Sequence, residues 1–282
     1  MSRWLLSVGH GYSARAFAAS LPEGWRVRAT ARTPERAAEL RAAGAEPVAW
    51  EDDAALAAAA GDAEAVLVSV PPRATGDLVL PRIGAALAAS SRLRWVGYLS
   101  ATGVYGDHQG GWVDETAPLQ PVTERGHWRV LAEAAWLGSG LPVHVFRLAG
   151  IYGPGRSALD RIREGRAQRV MKPGQVFSRI HVEDIAAVLR RSLETPRPGR
   201  AYNVADDLPA PPQDVLTFAA GLLGLPPPPE VPFDTADLSP MARSFYSESK
   251  RIANRRIREE LGVELAYPDY RAGLRAILAA GG

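Results

Sequence analysis

Along this chain, short apolar runs alternate with stretches in which apolar residues recur at helical spacing. Trp4 to Val8, Trp25 to Thr30, Glu46 to Trp50 and Ala65 to Val70 read as strands. Between them, Ala14, Phe17, Ala18 and Leu21 repeat at i, i+3, i+4 and i+7, one face of an amphipathic helix, and Pro34 to Ala43 and Asp53 to Ala60 also read as helices. The rhythm continues with a helix from Gly76 to Ala89, a strand over Trp95 to Leu99, a helix over Glu124 to Leu137 and a strand over Val143 to Leu148. Such alternation predicts an α/β fold on a Rossmann-type, doubly wound parallel sheet. Past residue 150 the pattern loosens into loop-rich sequence, including Gly153-Pro154-Gly155 and the Pro226 to Pro229 run. Regular structure returns at Ile180 to Leu193, Ala201 to Val204 and a closing helix from Tyr270 to Ala280.

Composition narrows the class. With 282 residues, 46% of them apolar and 23% charged, the chain can bury a large core, and a formal charge of +2 suggests neither disorder nor a nucleic-acid surface. The absence of cysteine excludes disulfides, thiolate metal sites and a cysteine nucleophile. No segment reaches membrane-spanning length and the N-terminus lacks the pattern of a secretion signal, so a cytoplasmic protein without membrane partners is expected.

Chemistry enters at the first turn. The first strand runs into Gly9-His10-Gly11-Tyr12-Ser13-Ala14. Gly9 and Gly11 permit a tight turn and close backbone approach to a ligand, and Ala14 is small enough for close helix–strand packing. The backbone of Gly11, Tyr12 and Ser13 then opens a helix whose N-terminus suits a pyrophosphate. Between a strand and a helix this is a dinucleotide fingerprint; elsewhere the same glycines would make an ordinary turn. His10 matters there through its backbone more than its ring.

The second strand should end where NAD-binding chains carry an acidic residue for the ribose 2′-hydroxyl, and Arg32 and Thr33 stand there instead. A guanidinium fork suits a phosphate dianion, so NADP is the expected cofactor, with NAD as the alternative. The same residues also fit a plain helix start, with Thr33 as N-cap before Pro34. After Val70, Pro71-Pro72 makes a rigid loop at a strand's C-terminal edge, where ligands bind in such sheets. The division implied is a dinucleotide-binding domain over 1–150, rejoined by segments near 177–204, and a smaller interleaved C-terminal lobe, mainly 151–282, for the substrate.

Four landmarks resemble the extended short-chain dehydrogenase/reductase family, which includes NAD-dependent epimerases and dehydratases. They are the Gly9 turn, Leu99-Ser100-Ala101-Thr102-Gly103-Val104-Tyr105-Gly106, the run from Arg147 to Gly155, and Arg179-Ile180-His181-Val182-Glu183-Asp184-Ile185-Ala186. Together they span nearly the whole chain. The resemblance implies a lobe closing over the nicotinamide, and chemistry carried by a Ser or Thr, a Tyr and a Lys. The chain departs from that set. The hydroxyl position falls on Ala101, and the Tyr-x-x-x-Lys pair aligns with Arg125 and Arg129.

Arg125 has no proton to trade near neutrality. Arg129 keeps the charge and donors for a ribose or phosphate, or is simply a solvated residue one turn from Arg125. The pattern is similar to the family's atypical branch, which keeps the fold and loses the standard catalytic set. Thr102 as hydroxyl donor and Tyr105 as displaced acid/base are then the catalytic candidates, Tyr105 alternatively being a substrate wall or packing residue. Ser100 and Arg129 join the cofactor-binding candidates with Val70 and Pro71. The helices over Gly76–Ala89 and Glu124–Leu137 form a homodimer seam in many members of the family.

Other polar residues have plainer readings. His181, Glu183 and Asp184 fall at a helix start, where they suit capping and lobe attachment. Asp107, Asp114 and Glu115 read as surface-loop charges rather than substrate ligands. His108, His127 and His144 lack metal-ligand spacing, so no zinc is expected. Arg156 is placed to reach a substrate phosphate. Two functions stay open: an NADP(H)-dependent oxidoreductase or epimerase-like enzyme acting on a small carbonyl or sugar-nucleotide-like substrate, or a non-catalytic NADP(H)-binding redox sensor acting through a protein partner.

Overall fold

The computed structural model describes residues 3–281. Seven strands form the central parallel sheet: β1 (Arg3–Val8), β2 (Trp25–Ala31), β3 (Glu46–Ala49), β4 (Ala65–Val68), β5 (Trp95–Ala101), β6 (Val143–Leu148) and β7 (Ala201–Val204). Their spatial order is β7-β6-β5-β4-β1-β2-β3. Successive strand residues point to opposite faces, and both faces are apolar. Leu5, Leu67, Trp95 and Phe146 pack with Ala14 and Phe17 of α1 (Tyr12–Ala19) and with Ile185 and Leu189 of the helix Val182–Glu194.

Leu6, Val66, Val96 and Val145 face the other way. They pack with Leu56, Ile83 and Leu87, and Trp136. The helices after α2 (Pro34–Ala42) supply these: α3 (Asp53–Asp62), α4 (Leu80–Ala89) and α5 (Glu124–Leu137). A sheet covered on both faces reads as continuous apolar runs, and each fully buried Leu, Val or Phe adds about 1.5–3 kcal/mol.

The sheet grows in opposite directions from the boundary between β1 and β4. That switch point opens a crevice beyond the C-terminal ends of the strands. The Gly9 turn after β1, Ser69-Val70-Pro71 after β4 and Thr102 after β5 all gather there. Helices Ala158–Arg163, Pro212–Leu222 and Tyr270–Ala279 build an outer core around Leu159, Leu216 and Leu274 that covers one side of the crevice. Among the described residues no helix is long and apolar enough to cross a membrane.

Some boundaries differ from the sequence expectation. α4 begins at Leu80 rather than Gly76, because Arg73 and Gly76 close an antiparallel bridge and the Asp77 carboxylate accepts from the Val79 and Leu80 N–H groups at 2.9 and 2.7 Å. β4 stops at Val68, where Ser69 turns toward the glycine loop. The stretch read as loops holds three short parallel ladders. Gly150–Tyr152 pairs with Arg179–His181, Arg169–Met171 with Glu230–Pro232, and Trp112–Val113 with Arg251–Ile252. Segments this short leave no periodicity to read.

A charged network is buried at the C-terminal edge of the sheet. On β6, Arg147 Nη2 lies 2.8 Å from Glu133 Oε2 of α5, and Nη1 donates to the Tyr105 hydroxyl at 2.8 Å. That hydroxyl donates to Asn203 Oδ1 on β7 at 2.7 Å. Burial acts to lower the Arg147 value, but the bonds and charge of Glu133 outweigh it and the net shift is upward. Removing one partner of such a pair leaves a charge stranded in low dielectric. Glu133→Leu is therefore expected to cost about 3–5 kcal/mol, read as a lower urea midpoint, with a smaller loss in Glu133→Gln. An unchanged midpoint in Glu133→Leu would remove this network from the account of stability.

Candidate functional site

The crevice is a cleft of about 1420 Å³. This exceeds the roughly 300–1,000 Å³ of a single drug-sized site, leaving room for two ligands side by side. Its sheet-side wall includes Gly11, Tyr12, Ser13, Pro71, Ser100 and Thr102. Arg125 and Arg129 reach it from α5, and Arg156, Arg161, Arg179, Glu248 and Lys250 from the opposite side.

The two glycines of the first turn do different things. Gly9 has φ 83°, and a Cβ there would stand 2.8 Å from Val70 Cγ2. Its N–H donates to Thr30 Oγ1 at 2.9 Å and its carbonyl accepts from the Ser69 hydroxyl, so it locks the turn between β2 and β4. Gly11 caps α1 at φ −92°, which any residue adopts, yet nothing lies within 4 Å of where its Cβ would point. The open space lies in front of the helix N-terminus, where unpaired N–H groups attract an anion.

Ser13 is buried on that same wall, as is Ser100, whose hydroxyl has no hydrogen-bond partner among the described residues. A buried hydroxyl left without a partner costs free energy that a ligand bond would recover. Arg129 Nη1 donates to the Leu99 carbonyl at 3.2 Å while its side chain lines the cleft. Val70 serves the turn instead, buried against Gly9 and away from the cleft wall.

Arg32 and Thr33 lie outside the cleft on the exposed corner between β2 and α2. The Arg32 guanidinium sits 5.5 Å from the Trp50 ring centroid, and Thr33 Oγ1 accepts from the Arg36 N–H at 3.2 Å as the N-cap. Arg36, which the sequence reading passed over, donates from Nη2 to the His10 carbonyl at 2.6 Å and so approaches the glycine turn more closely. Its distance from that turn along the chain hid it. The His10 ring turns back to Ser7, 2.9 Å away, and burial, with the charges of Arg36 and Arg15, brings its pKa down to about 4.

Tyr105 does not serve as the displaced acid/base. It is fully buried, its hydroxyl is taken up by Asn203 and Arg147, and it does not reach the cleft. Burial pushes its pKa up to about 12 against the pull of the Arg147 charge. Thr102, three residues earlier, lines the cleft. Glu115 also departs from its reading as a surface charge: its carboxylate is buried and accepts from the Asn203 N–H at 2.8 Å.

The lobe is tied to the turn and to α5. Tyr12 donates to the Pro154 carbonyl at 2.9 Å, and a Cβ on Gly153 would crowd that hydroxyl and stand 2.7 Å from Val182 Cγ1. Arg125 Nη2 donates to Ser244 Oγ at 2.7 Å. His181 caps the helix Val182–Glu194, and Asp184 accepts from the Ala266 and Tyr267 N–H groups at 2.8 and 3.1 Å.

Sequence reasoning missed Arg161, Glu248 and Lys250, which sit where the loop-rich pattern carried no signal. The Arg161 guanidinium opens to the cleft but makes no hydrogen bond or ion pair with another described residue. Surrounding protein holds its pKa below the ordinary arginine value. Lys250 Nζ lies 3.1 Å from Glu248 Oε1 and donates to the Gly106 carbonyl at 2.8 Å. Burial pushes the Glu248 carboxyl up and the Lys250 ammonium down.

No family model matches the chain. It is 32% identical to Protein YeeZ of Escherichia coli over 93% of its own length and 95% of that protein's. A conserved protein of unknown function from Silicibacter pomeroyi is 55% identical, with a TM-score of 0.92 over 99% of both chains. A structure from Methylobacillus flagellatus, whose description places it among the NAD-dependent epimerases/dehydratases, is 27% identical, with a TM-score of 0.74 over 99% of this chain and 98% of that one.

Because Tyr105 is held in the buried network, Tyr105→Phe should lower stability by about 1–3 kcal/mol through the stranded Arg147 and Asn203 groups. Dinucleotide affinity should be unaffected. A denaturant titration and a binding titration on the same variant check both, and weakened binding at undiminished stability would return Tyr105 to the site.

Proposed function

The chain belongs to the extended short-chain dehydrogenase/reductase family, with the NAD-dependent epimerases and dehydratases, and from that premise we propose an NADP(H)-preferring oxidoreductase that lacks the family's tyrosine–lysine pair. The observation that carries the reading is one cleft wall that holds both the open space at Gly11 and the Ser100 hydroxyl, unpartnered among the described residues. A nicotinamide dinucleotide fits both: its pyrophosphate on the N-terminus of α1 at Gly11, Tyr12 and Ser13, and its ribose and nicotinamide toward Pro71, Ser100 and Arg129. When bound, that group supplies or accepts the hydride.

Arg32 stands at the end of β2 where an acidic residue would meet a ribose hydroxyl, and its guanidinium, with that of Arg36 one helical turn on, favours a 2′-phosphate. On the far side, Arg161 and Arg156 line the space left for a substrate. A small carbonyl compound or sugar-nucleotide-like substrate bearing a negative charge would pair with Arg161, which has no ion-pair partner among the described residues. Thr102, on the loop after β5, is placed to hydrogen-bond its oxygen.

Titration with NADPH and with NADH, followed by nicotinamide fluorescence, tests the reading. The wild type should bind NADPH more tightly. Gly11→Ala should weaken binding of both cofactors while keeping the fold, since a Cβ there meets no protein atom within 4 Å. Arg32→Asp should lose NADPH far more than NADH. Absence of binding by the wild type would end the proposal, and equal losses in Arg32→Asp would end the phosphate preference.

A further inference from the structure

The cleft needs a group that can give and take a proton, and the residues aligned with the family's catalytic pair cannot do so. Arg125 and Arg129 hold their protons, and Tyr105 is enclosed in the Arg147 network. Glu248 has what they lack. It lines the cleft, with Oε1 paired to Lys250 and Oε2 buried without a hydrogen-bond partner among the described residues.

Its position is set from several sides. A Cβ on Gly103, next to Thr102, would stand 3.6 Å from Glu248 Oε1, so the carboxyl abuts the loop after β5. The Gln175 side-chain amide donates to the Glu248 carbonyl at 2.8 Å, and Lys250 is anchored on Gly106. We propose that Glu248 is the proton-exchanging residue of this cleft, with Lys250 as its charge partner. This rests on the oxidoreductase reading above.

In the reducing direction the substrate carbonyl carbon accepts a hydride from a reduced nicotinamide dinucleotide, and the C=O π pair moves onto oxygen. Glu248 gives its carboxyl proton to that oxygen, completing the hydroxyl. The products are an alcohol, the oxidised dinucleotide and a Glu248 carboxylate, which regains a proton from solvent. The reverse direction uses the carboxylate as base.

The surroundings suit the exchange. Burial raises the Glu248 carboxyl and lowers the Lys250 ammonium, bringing the two closer to neutrality from opposite sides. The other charges facing Glu248 are Asp107, from the loop after Gly106, which raises it, and Arg125 of α5, which lowers it. Arg125 itself is held by Ser244 and makes no hydrogen bond to the Glu248 carboxyl, whose Oε2 is enclosed.

The test compares the wild type with Glu248→Gln, Glu248→Asp and Lys250→Met. Three readouts are used: carboxyl titration by NMR on carbon-13-labelled glutamate, affinity for NADPH, and reduction of a panel of aldehydes and ketones. One carboxyl signal, absent from Glu248→Gln, should titrate above the ordinary glutamate range and move further up in Lys250→Met, where the lost cation disfavours the carboxylate. Glu248→Gln should bind NADPH within about threefold of the wild type while losing about 10²–10⁴-fold in kcat, with part regained in Glu248→Asp.

A Glu248 signal at or below the ordinary range, or turnover by Glu248→Gln within about threefold of the wild type, would overturn the proposal. A wild type that binds NADPH and reduces nothing in the panel would count against the enzyme reading instead. The NMR titration would then still decide whether Glu248 is poised to exchange a proton.

Discussion

The buried guanidinium of Arg147 is the constraint on which the arrangement of the site depends. It sits on β6 and bonds sideways to Glu133 of α5 and upward to Tyr105 after β5, and through Tyr105 it reaches Asn203 of β7. In a low-dielectric interior such a group is either fully satisfied or strongly destabilising, so the elements that bear its partners are held in one relation. Asn203 carries the network on to Glu115 and to the Ala253 carbonyl. The segment that carries Glu248 and Lys250 is thereby registered against the end of the sheet. The tyrosine that most resembles a catalytic group is consumed in building this frame.

Above an apolar core that runs from the sheet into Ile180 and Ile252, the two sides of the cleft are joined by a few polar contacts. Tyr12 reaches Pro154 from the start of α1, Arg125 reaches Ser244 from α5, and Lys250 reaches Gly106. Each contact begins at a residue that also lines the cleft. Ligand occupancy and the placing of the lobe therefore act on the same side chains, and a bound molecule would be felt where the two sides meet.

The first turn shows how one motif holds two kinds of information. Gly9 is glycine because the backbone there takes φ 83° against Val70, a requirement of the folded protein itself. Gly11 meets neither requirement, and its missing side chain leaves space for something else. The sequence shows two glycines of equal weight. Only the packing around them separates the one the fold requires from the one beside which it leaves open space.

What the sequence alone determined was whatever depends on local periodicity. The helix Glu124–Leu137 and the strands Val143–Leu148 and Ala201–Val204 fall at the expected residues, because apolar spacing and caps such as Thr123 act within a few residues. The turn at Gly9 and the helix-capping role of Thr33 were legible for the same reason. Tertiary structure decided the rest. Tyr105 was turned from catalytic candidate to buried brace by Arg147 and Asn203, and Glu115 from surface charge to buried acceptor, through partners far away in the chain. Glu248, Lys250 and Arg161 lie in short or irregular segments with no pattern of their own, and their chemistry comes from burial and neighbours that exist only once the lobe packs over the sheet.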